Sequence, residues 1–326
     1  MDRRLRGWGG VAGMAVACAL AAALLPAVRH EAGTGRAGPP RPPEATPARQ
    51  AADEDCEDPE ASLRPSGADG PAVNRIQESR QLVVGVDQNS FRWGYRDPAT
   101  QDLVGFDIDL VEAIAEDILG EDYREQDKKV VYRAIPTNQR IPALQKGDVD
   151  LVVRTMTINC DRIRDVAFST AYFEAGQQVL APKGSGIEGF DATLAGRTVC
   201  TAAGSTGESE LRKQSHGARV VTVPNQLDCL VRLQLGEVDA VVTDNALAAG
   251  QAAQDPSVEL VGEPFTEEPY GVAVNLADDD LVRRVNKVLE EYRAGGADSA
   301  WREAYEKWLA DDLRGIEGPP APKYKS

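Results

Sequence analysis

The sequence predicts an α/β protein of two similar lobes, each built on a mainly parallel sheet flanked by helices. One observation is a repeated phrase, ALQKGDVDLVVRT at residues 143–155 and RLQLGEVDAVVTD at residues 232–244. In both copies a helical run ends at a glycine and an apolar strand follows, which is typical of α/β folds. A second observation is that the alternation of strand and helix starts again after residue 182. We therefore interpret the repeat as one helix–strand unit from each of two lobes.

The first lobe is predicted from short apolar runs that alternate with segments of helical spacing. Residues 81–87 (QLVVGVD) form an apolar run that ends at polar residues, which indicates a buried strand. Residues 105–119 place apolar side chains near helical spacing, which indicates a helix. The other predicted elements are strand 129–135, helix 138–147, strand 149–154 and strand 176–182.

The second lobe is predicted by the same alternation. Its elements are strand 197–203, a loop leading into a helix over 204–214, strand 218–224, helix 226–236 and strand 238–244. A strand at 269–276 and two helices at 278–294 and 298–310 close the fold. The folded body is therefore expected to span about residues 73–314.

The charge of the chain excludes some classes of function. The 326 residues carry a formal net charge of −16, and the acidic excess lies beyond residue 50, because residues 1–50 hold seven arginines against three acidic residues. Such a surface argues against nucleic acid as a partner. An anionic ligand would need a local cationic pocket. Only two histidines occur, with no metal cluster, catalytic set or cofactor fingerprint, so we expect no metal, no cofactor and no catalytic residue.

The N-terminus is predicted to be a targeting segment, residues 1–33. Three arginines precede an uncharged apolar stretch, Val11 to Val28, which is typical of a signal peptide or signal anchor. Cys18 follows small residues as in a bacterial lipoprotein box, although Ala15 stands where leucine is usual. Lipidation of Cys18, an uncleaved anchor and simple cleavage remain open. All three export the protein, and the first two hold it at the membrane.

Residues 34–72 and 315–326 are predicted to be a disordered tether and a flexible tail. Both are rich in proline, glycine, alanine and charge and lack a periodic apolar face. No second apolar stretch as long as the N-terminal one occurs in the sequence, which excludes a polytopic transporter.

Four cysteines beyond Cys18 are read as two disulfides because the protein is exported. They are widely spaced without a Cys-x-x-Cys pair, which argues against a zinc or redox motif. Three pairings are possible. We favour Cys200–Cys229, whose residues lie in adjacent strand-like and helix-like segments, and this leaves Cys56–Cys160. The alternative is four buried thiols.

The two copies of the repeat end in residues of opposite charge. Ligands of parallel α/β sheets bind beyond the carboxyl ends of the strands. The first copy ends in Arg154 and Thr155. Thr157 alternates with Thr155 just beyond it and Arg162 follows, and two hydroxyls with a guanidinium suit a carboxylate. Asp244 ends the second copy, where its partner would be a ligand ammonium or a helix cap. The common cleft would therefore suit a zwitterion.

Three further features point to the same cleft. The segment AAGSTGES (202–209) joins a strand to a helix start, whose amides attract anions, with Ser205 or Thr206 adding a hydroxyl or acting as a plain cap. Arg140 lies near the start of its helix, where a cation is unfavourable to the helix dipole. Phe91 and Trp93 alternate beyond the first strand and would form either an aromatic wall or part of the core.

Seven ordered blocks give the chain a resemblance to a known family. They are LVVGVD, LVGFDIDLVEAIAEDI, RIPALQKGDVDLVV, TMTINCDRIRDVAFSTAYFEAGQQVL, AGSTGES, GEVDAVVTDNALAAG and EEPYGVAVN. Over about residues 80–310 the chain resembles the solute-binding proteins of polar amino-acid ABC transporters, with the type 2 periplasmic-binding-protein fold. Its cysteines and the lead-in DCEDPEASLRP are most similar to actinobacterial glutamate/glutamine-type binding lipoproteins.

The resemblance implies two lobes joined by two hinge strands that close on one amino acid. Lobe 1 would be residues 73–179 and 267–314, and lobe 2 residues 180–266. The implied site holds the ligand α-carboxylate with Thr155, Thr157, Arg162 and Thr206, the α-ammonium with Asp244, and the ligand side chain with Thr137, Arg140 and Arg154. The chain departs from the family pattern at Ser90, Phe91 and Arg92, which puts the aromatic wall of Phe91 and Trp93 in question.

The resemblance implies a monomeric, membrane-attached receptor that delivers an acidic amino acid, glutamate or aspartate, to an ABC permease. Glutamine or asparagine stays open as a ligand, although glutamine would leave Arg140 unpaired in a buried site. One alternative is a sensor that reports the ligand to a signalling system. Another is a dehydratase-type enzyme on the same fold.

Overall fold

The computed structural model describes residues 56–121, 123–124 and 129–326. The predicted targeting segment 1–33, Cys18 and the tether up to residue 55 lie outside the described residues. Within the described ranges, every helix is too short or too polar to cross a membrane.

Helices and strands alternate through most of the described chain. The helices are α1 (Pro71–Ser79), α2 (Phe106–Leu119), α3 (Arg140–Gln145), α4 (Thr206–Lys213), α5 (Gln226–Gln234), α6 (Asn245–Gln254), α7 (Asp279–Arg293) and α8 (Ala300–Trp308). The strands are β1 (Gln81–Val86), β2 (Asn89–Ser90), β3 (Gly94–Arg96), β4 (Leu103–Val104), β5 (Lys129–Ala134), β6 (Leu151–Val152), β7 (Val166–Phe168), β8 (Phe173–Ala175), β9 (Gln177–Pro182), β10 (Thr198–Ala202), β11 (Arg219–Val223), β12 (Ala240–Asp244), β13 (Val258–Val261), β14 (Glu268–Tyr270) and β15 (Ala273–Asn275).

Two five-stranded sheets form the two lobes and confirm the predicted fold class. The sheet of lobe 1 has the order β5-β1-β6-β15-β7, and that of lobe 2 has the order β11-β10-β12-β9-β13. Each begins with three parallel strands in the same relative order and ends with a pair that includes antiparallel contacts. The lobes are therefore similar, and their sheets are mixed rather than wholly parallel.

The repeated phrase supplies equivalent pieces of the two sheets. Its first copy forms the end of α3 and β6, and its second copy forms the end of α5 and β12. Gly147 and Gly236 follow the two helices with φ of 69° and 70°, a left-handed conformation that glycine adopts without a Cβ clash. The shared glycine therefore turns each chain from helix into strand, and the strand ends lie at the same position in each lobe.

A small antiparallel sheet of β8 and β14 lies where the chain passes between the lobes. After β8 the chain enters the second lobe through β9, and it returns through β14 to β15 of the first lobe. The predicted single strand 269–276 is thus split into β14 and β15. The split allows the chain to serve both the small sheet and the sheet of lobe 1.

Apolar residues bury both faces of the sheets. Leu82, Val84 and Val86 of β1 are fully buried in the main core of lobe 1, which also holds the apolar faces of α2 and α7. The sheet of lobe 2 lies between two apolar clusters, one that includes α5 and one that includes α4. Two lobes with cores of this kind leave the polar strand ends free to line a site.

The predicted tether and tail are ordered where the structure describes them, which corrects the prediction for residues 56–72 and 315–326. Residue Ser62 is buried, and its hydroxyl donates to the Phe168 carbonyl oxygen at 2.6 Å. Its backbone pairs with the tail, through Ser62 N–H to Lys323 oxygen at 3.0 Å and Lys325 N–H to Ser62 oxygen at 2.8 Å. Asn286 of α7 donates to the Ser62 hydroxyl at 2.9 Å. We call this pairing of residues 56–72 with the tail the N-terminal clasp. It could not be predicted from composition, because specific long-range hydrogen bonds hold it.

The two favoured disulfides are confirmed. Cys56 joins Cys160 with a Cα–Cα distance of 5.8 Å, and Cys200 joins Cys229 with a Cα–Cα distance of 5.5 Å. The first bond attaches the N-terminal clasp beside Arg162, and the second links β10 to α5 inside the core of lobe 2.

Removing the disulfide of lobe 2 is expected to destabilise the fold. A Cys200→Ala/Cys229→Ala variant removes the link between two positions that are 29 residues apart in the chain. The free energy of unfolding should fall by roughly 3–4 kcal/mol, because the unfolded chain regains entropy. Urea unfolding followed by circular dichroism measures this change. An unchanged midpoint would contradict the prediction.

Candidate functional site

A polar cavity lies between the lobes at the ends of the repeated strands. The cavity has a volume of about 20 Å³, which is room for about one water molecule. It is lined by Thr137, Arg140, Arg154, Thr155, Thr157, Arg162, Ala202, Ser205, Thr206, Gln226, Thr243, Asp244 and Leu247. Each lobe contributes one part of this lining, so the cavity is complete only when the two lobes are together.

Arg140 reaches the cavity from the start of α3. The residue is 4% exposed, and its guanidinium donates to backbone oxygens of Thr137 at 2.9 Å, Arg154 at 3.2 Å and Thr155 at 3.4 Å. Burial, with the nearby Arg162 and Arg154, lowers the pKa of Arg140 well below its usual range. A cation at the start of a helix interacts unfavourably with the helix dipole, and here this position places the guanidinium in the lining of the cavity.

Arg162 is the second buried cation of the lining. Its guanidinium donates to the oxygen of Thr157 at 2.7 Å and of Gly204 at 3.3 Å, and the residue is 8% exposed. Burial lowers the pKa of Arg162, while Glu268 and Asp244 oppose that shift. Among the described residues, neither Arg140 nor Arg162 has a carboxylate within ion-pair distance. Two buried guanidinium groups are therefore left to interact with an anion.

Arg154 differs from these two arginines because it already has a carboxylate partner. Its guanidinium lies 2.9 Å from Asp87, with both side chains almost fully buried. It also donates to the hydroxyl of Thr137 at 3.0 Å and to the side-chain oxygen of Asn225 at 3.3 Å. Arg154 thus lines the cavity as half of an ion pair that joins the end of β1 to both lobes.

Asp87 has no free acceptor position left. Its oxygens accept from Arg154, from the Ser90 hydroxyl at 2.7 Å, from Gln226 at 3.0 Å and from two backbone N–H groups. Burial opposes the charged form, but Arg154 and these donors keep the pKa of Asp87 below its usual value. The carboxylate is therefore ionised and satisfied within the protein.

Thr155, which lines the cavity, has a strained backbone conformation. Its φ is 41°, a left-handed value that a β-branched residue rarely adopts. The buried carboxylate of Asp107 accepts its N–H at 3.1 Å, and Arg140 donates to its carbonyl oxygen at 3.4 Å. Burial raises the pKa of Asp107 to about 7, although hydrogen bonds from Tyr172 and Thr155 lower it. Contacts on both sides of Thr155 thus hold this conformation.

Asp244 supplies the anionic part of the lining. It ends β12 and precedes α6, but its side chain makes no capping hydrogen bond. Instead it accepts from the Tyr270 hydroxyl at 2.5 Å and from the side-chain amide of Gln177. Burial, followed by repulsion from Glu268, raises the pKa of Asp244 to about 7. A cation placed beside Asp244 would favour its charged form.

Thr157 and Thr206 face each other across the cavity edge, one from each lobe. Both hydroxyls donate to the same oxygen of Glu268, at 2.5 Å from Thr157 and 2.9 Å from Thr206. Ser205 caps α4, since its hydroxyl accepts the Glu208 N–H at 3.1 Å. The hydroxyl-rich side of the cavity therefore already holds one internal carboxylate.

The predicted aromatic wall is absent from the cavity lining, which corrects that prediction. Trp93 is 1% exposed, packs edge-on against Phe173 and Tyr270, and donates its ring N–H to Ala246 oxygen at 3.2 Å. The ring of Phe91 packs against Tyr95. Apolar packing and a satisfied indole donor draw these rings into the core, and the apolar lining comes from Ala202 and Leu247 instead.

The structure brings the other predicted ligand residues together around the cavity. They are Thr137, Arg140, Arg154, Thr155, Thr157, Arg162, Thr206 and Asp244. Sequence reasoning missed Asp87, Gln226 and Glu268. Asp87 could have been found, because it ends an apolar strand as Asp244 does. Gln226 and Glu268 have no comparable signal, since their roles come from partners distant in the chain.

The sequence matches the family described as bacterial extracellular solute-binding proteins, family 3, over residues 82–311. The ABC transporter glutamine-binding protein GlnH of Bacillus subtilis (strain 168) is 36% identical over 237 residues, which cover 73% of this chain and 84% of that protein. The glutamate/aspartate import solute-binding protein of Salmonella typhimurium is 28% identical, covering 76% and 82% of the two chains. A solved ancestral arginine-binding protein bound to glutamine is 38% identical with a TM-score of 0.63, covering 70% and 97%.

Proposed function

The chain belongs to family 3 of the bacterial extracellular solute-binding proteins, and on that premise we propose that it captures glutamate or aspartate for an ABC permease. The proposed receptor acts outside the cytoplasm as a monomer. Its N-terminal segment holds it at the membrane, through a lipid on Cys18 or through an anchor. The observation that carries the choice of ligand is the pair of buried guanidinium groups of Arg140 and Arg162, which contact backbone oxygens but no carboxylate of the described residues.

Two such cations favour a ligand with two carboxylates. A buried charge without a partner is costly, and a ligand carboxylate offers each guanidinium a planar, charge-assisted acceptor. Arg154 adds little net charge because Asp87 neutralises it. The lining therefore has cationic groups for two anions and, in Asp244, an anionic group for one ammonium. Glutamate and aspartate have this set of charges.

Each end of the ligand is assigned to one part of the cavity. The α-carboxylate is held by Thr155, Thr157, Arg162 and Thr206, the α-ammonium by Asp244, and the side-chain carboxylate by Thr137, Arg140 and Arg154. Thr137 and Arg154 are linked by a hydrogen bond of 3.0 Å, so they act as one unit in this assignment.

Closure of the two lobes is the proposed mechanism of capture. Arg162 lies in lobe 1 and Asp244 in lobe 2, so a bound amino acid contacts both lobes only when they are together. The two strands of the β8–β14 sheet are the segments that would bend. The ligand then shifts the equilibrium toward the closed form, which the permease recognises.

Glutamine is the second candidate ligand, because the Bacillus subtilis relative is named a glutamine-binding protein. A side-chain amide would need an acceptor near Arg140 for its N–H groups. Asp87 is the nearest buried carboxylate to Arg154, but its oxygens already accept from five donors. Glutamine would thus leave a guanidinium without an anion, and this favours the acidic ligands.

Calorimetric titration of the ligand-free protein with the twenty amino acids tests the proposal. We expect glutamate or aspartate to bind at least tenfold more tightly than glutamine, since an ion pair replaces a neutral contact. Arg140→Gln should remove most of this preference, while Arg133→Gln, an exposed control on β5, should keep it. Tighter binding of glutamine than of glutamate by the wild-type protein would contradict the acidic ligand.

A further inference from the structure

We propose that Glu268 is an internal competitor of the ligand, a buried carboxylate that takes the hydroxyl protons otherwise available to the ligand's α-carboxylate. The inference rests on the proposed function for the identity of the competing group. Its structural basis is independent, because the contacts of Glu268 are formed within the protein.

Glu268 lies where the two lobes and the connecting sheet meet. It is the first residue of β14 and is 2% exposed. One oxygen accepts from Thr157 of lobe 1 at 2.5 Å and from Thr206 of lobe 2 at 2.9 Å. The other accepts from Thr266 at 2.8 Å. A single carboxylate group therefore joins both lobes through hydroxyl groups that line the cavity.

Each hydroxyl can donate its proton either to Glu268 or to the ligand carboxylate, but not to both. A threonine hydroxyl has one proton to donate, and the hydroxyls of Thr157 and Thr206 both direct it to Glu268. Thr206 also accepts from the side-chain amide of Gln177 at 3.0 Å. For either hydroxyl to donate to a ligand carboxylate, it must turn away from Glu268. The ligand and Glu268 cannot have the same proton at once.

The charge of Glu268 acts in the same direction. Its carboxylate is close enough to Arg162 and Asp244 to influence the titration of both residues. It thus partly neutralises the cation proposed for the α-carboxylate. It also disfavours the charged form of the acid proposed for the α-ammonium. Both electrostatic effects weaken binding of an amino acid.

Two consequences follow from this arrangement. Without ligand, Glu268 links Thr157 to Thr206 and stabilises a closed, empty form of the protein. With ligand, that link is broken, so its free energy is subtracted from the affinity. Glu268 therefore lowers the affinity of the receptor and makes the closed form less dependent on the ligand.

A Glu268→Gln variant of the whole protein tests the proposal with two measurements. Small-angle scattering without ligand should give a larger radius of gyration than the wild type, because the link between the lobes is weakened. Titration with glutamate should give binding roughly tenfold tighter, because competing hydrogen bonds to a charged group are removed. Glu268→Asp, which keeps the charge but is too short to reach both hydroxyls, should change both measurements in the same direction.

Glu267→Gln is the matched control, since it removes the same charge from an exposed neighbour and should leave both measurements unchanged. Weaker or unchanged glutamate binding by folded Glu268→Gln, with an unchanged radius of gyration, would overturn the proposal. The scattering measurement needs no ligand, so it still decides the link between the lobes if no amino acid binds. In that case the proposed function fails separately.

Discussion

Replacing Arg162 by alanine is expected to weaken glutamate binding by about a hundredfold or more, which corresponds to about 3 kcal/mol. The guanidinium is buried, has no carboxylate partner among the described residues, and is fixed by the carbonyl oxygens of Thr157 and Gly204. Its loss removes the main cation proposed for the α-carboxylate, which every amino-acid ligand carries. Calorimetric titration of the variant measures the change.

Two further variants separate the role of Arg162 in binding from a role in folding. Arg162→Lys keeps the charge but loses the planar fork, so it should retain only part of the affinity. Arg162–Arg164 form a short 3-10 helix, and Arg164→Ala removes its last arginine, whose side chain is 58% exposed; this change should leave the affinity unchanged. Full affinity in a folded Arg162→Ala protein would contradict the assignment.

Replacing Asp244 by asparagine is expected to weaken glutamate binding as much as Arg162→Ala does, but to raise the stability of the ligand-free fold. Glutamate affinity should fall by about a hundredfold, because the ammonium loses its buried charged partner. The ligand-free variant should unfold at a higher temperature than the wild type at pH 8. Burial and Glu268 destabilise the charged form of Asp244, and asparagine has no charge to bury.

The pH dependence of this stability difference follows from the raised pKa of Asp244. A carboxyl whose pKa rises from 3.8 in the unfolded chain to about 7 stabilises the fold fully below pH 3.8, and that contribution is lost as the pH rises through 7. The excess stability of Asp244→Asn should thus be larger at pH 8 than at pH 6. Glu237→Gln, an exposed acid before the same strand, serves as control. Thermal unfolding at both pH values measures the difference, and an equal shift at both would contradict the prediction.

The same titration predicts how wild-type binding depends on pH. An ammonium beside Asp244 requires the charged carboxylate, so binding must displace the proton that Asp244 holds below pH 7. Glutamate should accordingly bind about tenfold more weakly at pH 6 than at pH 8. Calorimetry in buffers of different ionisation enthalpy would detect the released proton.

A good part of the site could be predicted because its signals are local. Thr155, Thr157 and Arg162 lie within eight residues of one another after a strand, and Asp244 ends the equivalent strand of the second lobe. The common direction of parallel strands then brings the two groups to the same cleft. The location of the candidate cleft thus follows from patterns that each span only a few residues.

The contacts that the sequence did not reveal join residues that are far apart in the chain. Arg154 pairs with Asp87, 67 positions earlier, and Thr157 donates to Glu268, 111 positions later. Trp93 has the same alternation as a wall residue but finds its partners in β8, β14 and α6. A single-chain pattern states which groups are polar or apolar, but not which of them meet.

The sequence by itself determined the two-lobed α/β fold, the glycine turns that repeat it and the residues at the strand ends, because periodicity and backbone conformation are local properties. Only the tertiary structure decided that Arg140 and Arg162 have no carboxylate partner among the described residues, that Asp87 is satisfied by Arg154, and that Ser62 binds the tail to lobe 1. Charge balance in a buried site depends on every group within a few ångströms. That neighbourhood is assembled by folding from segments far apart in the chain.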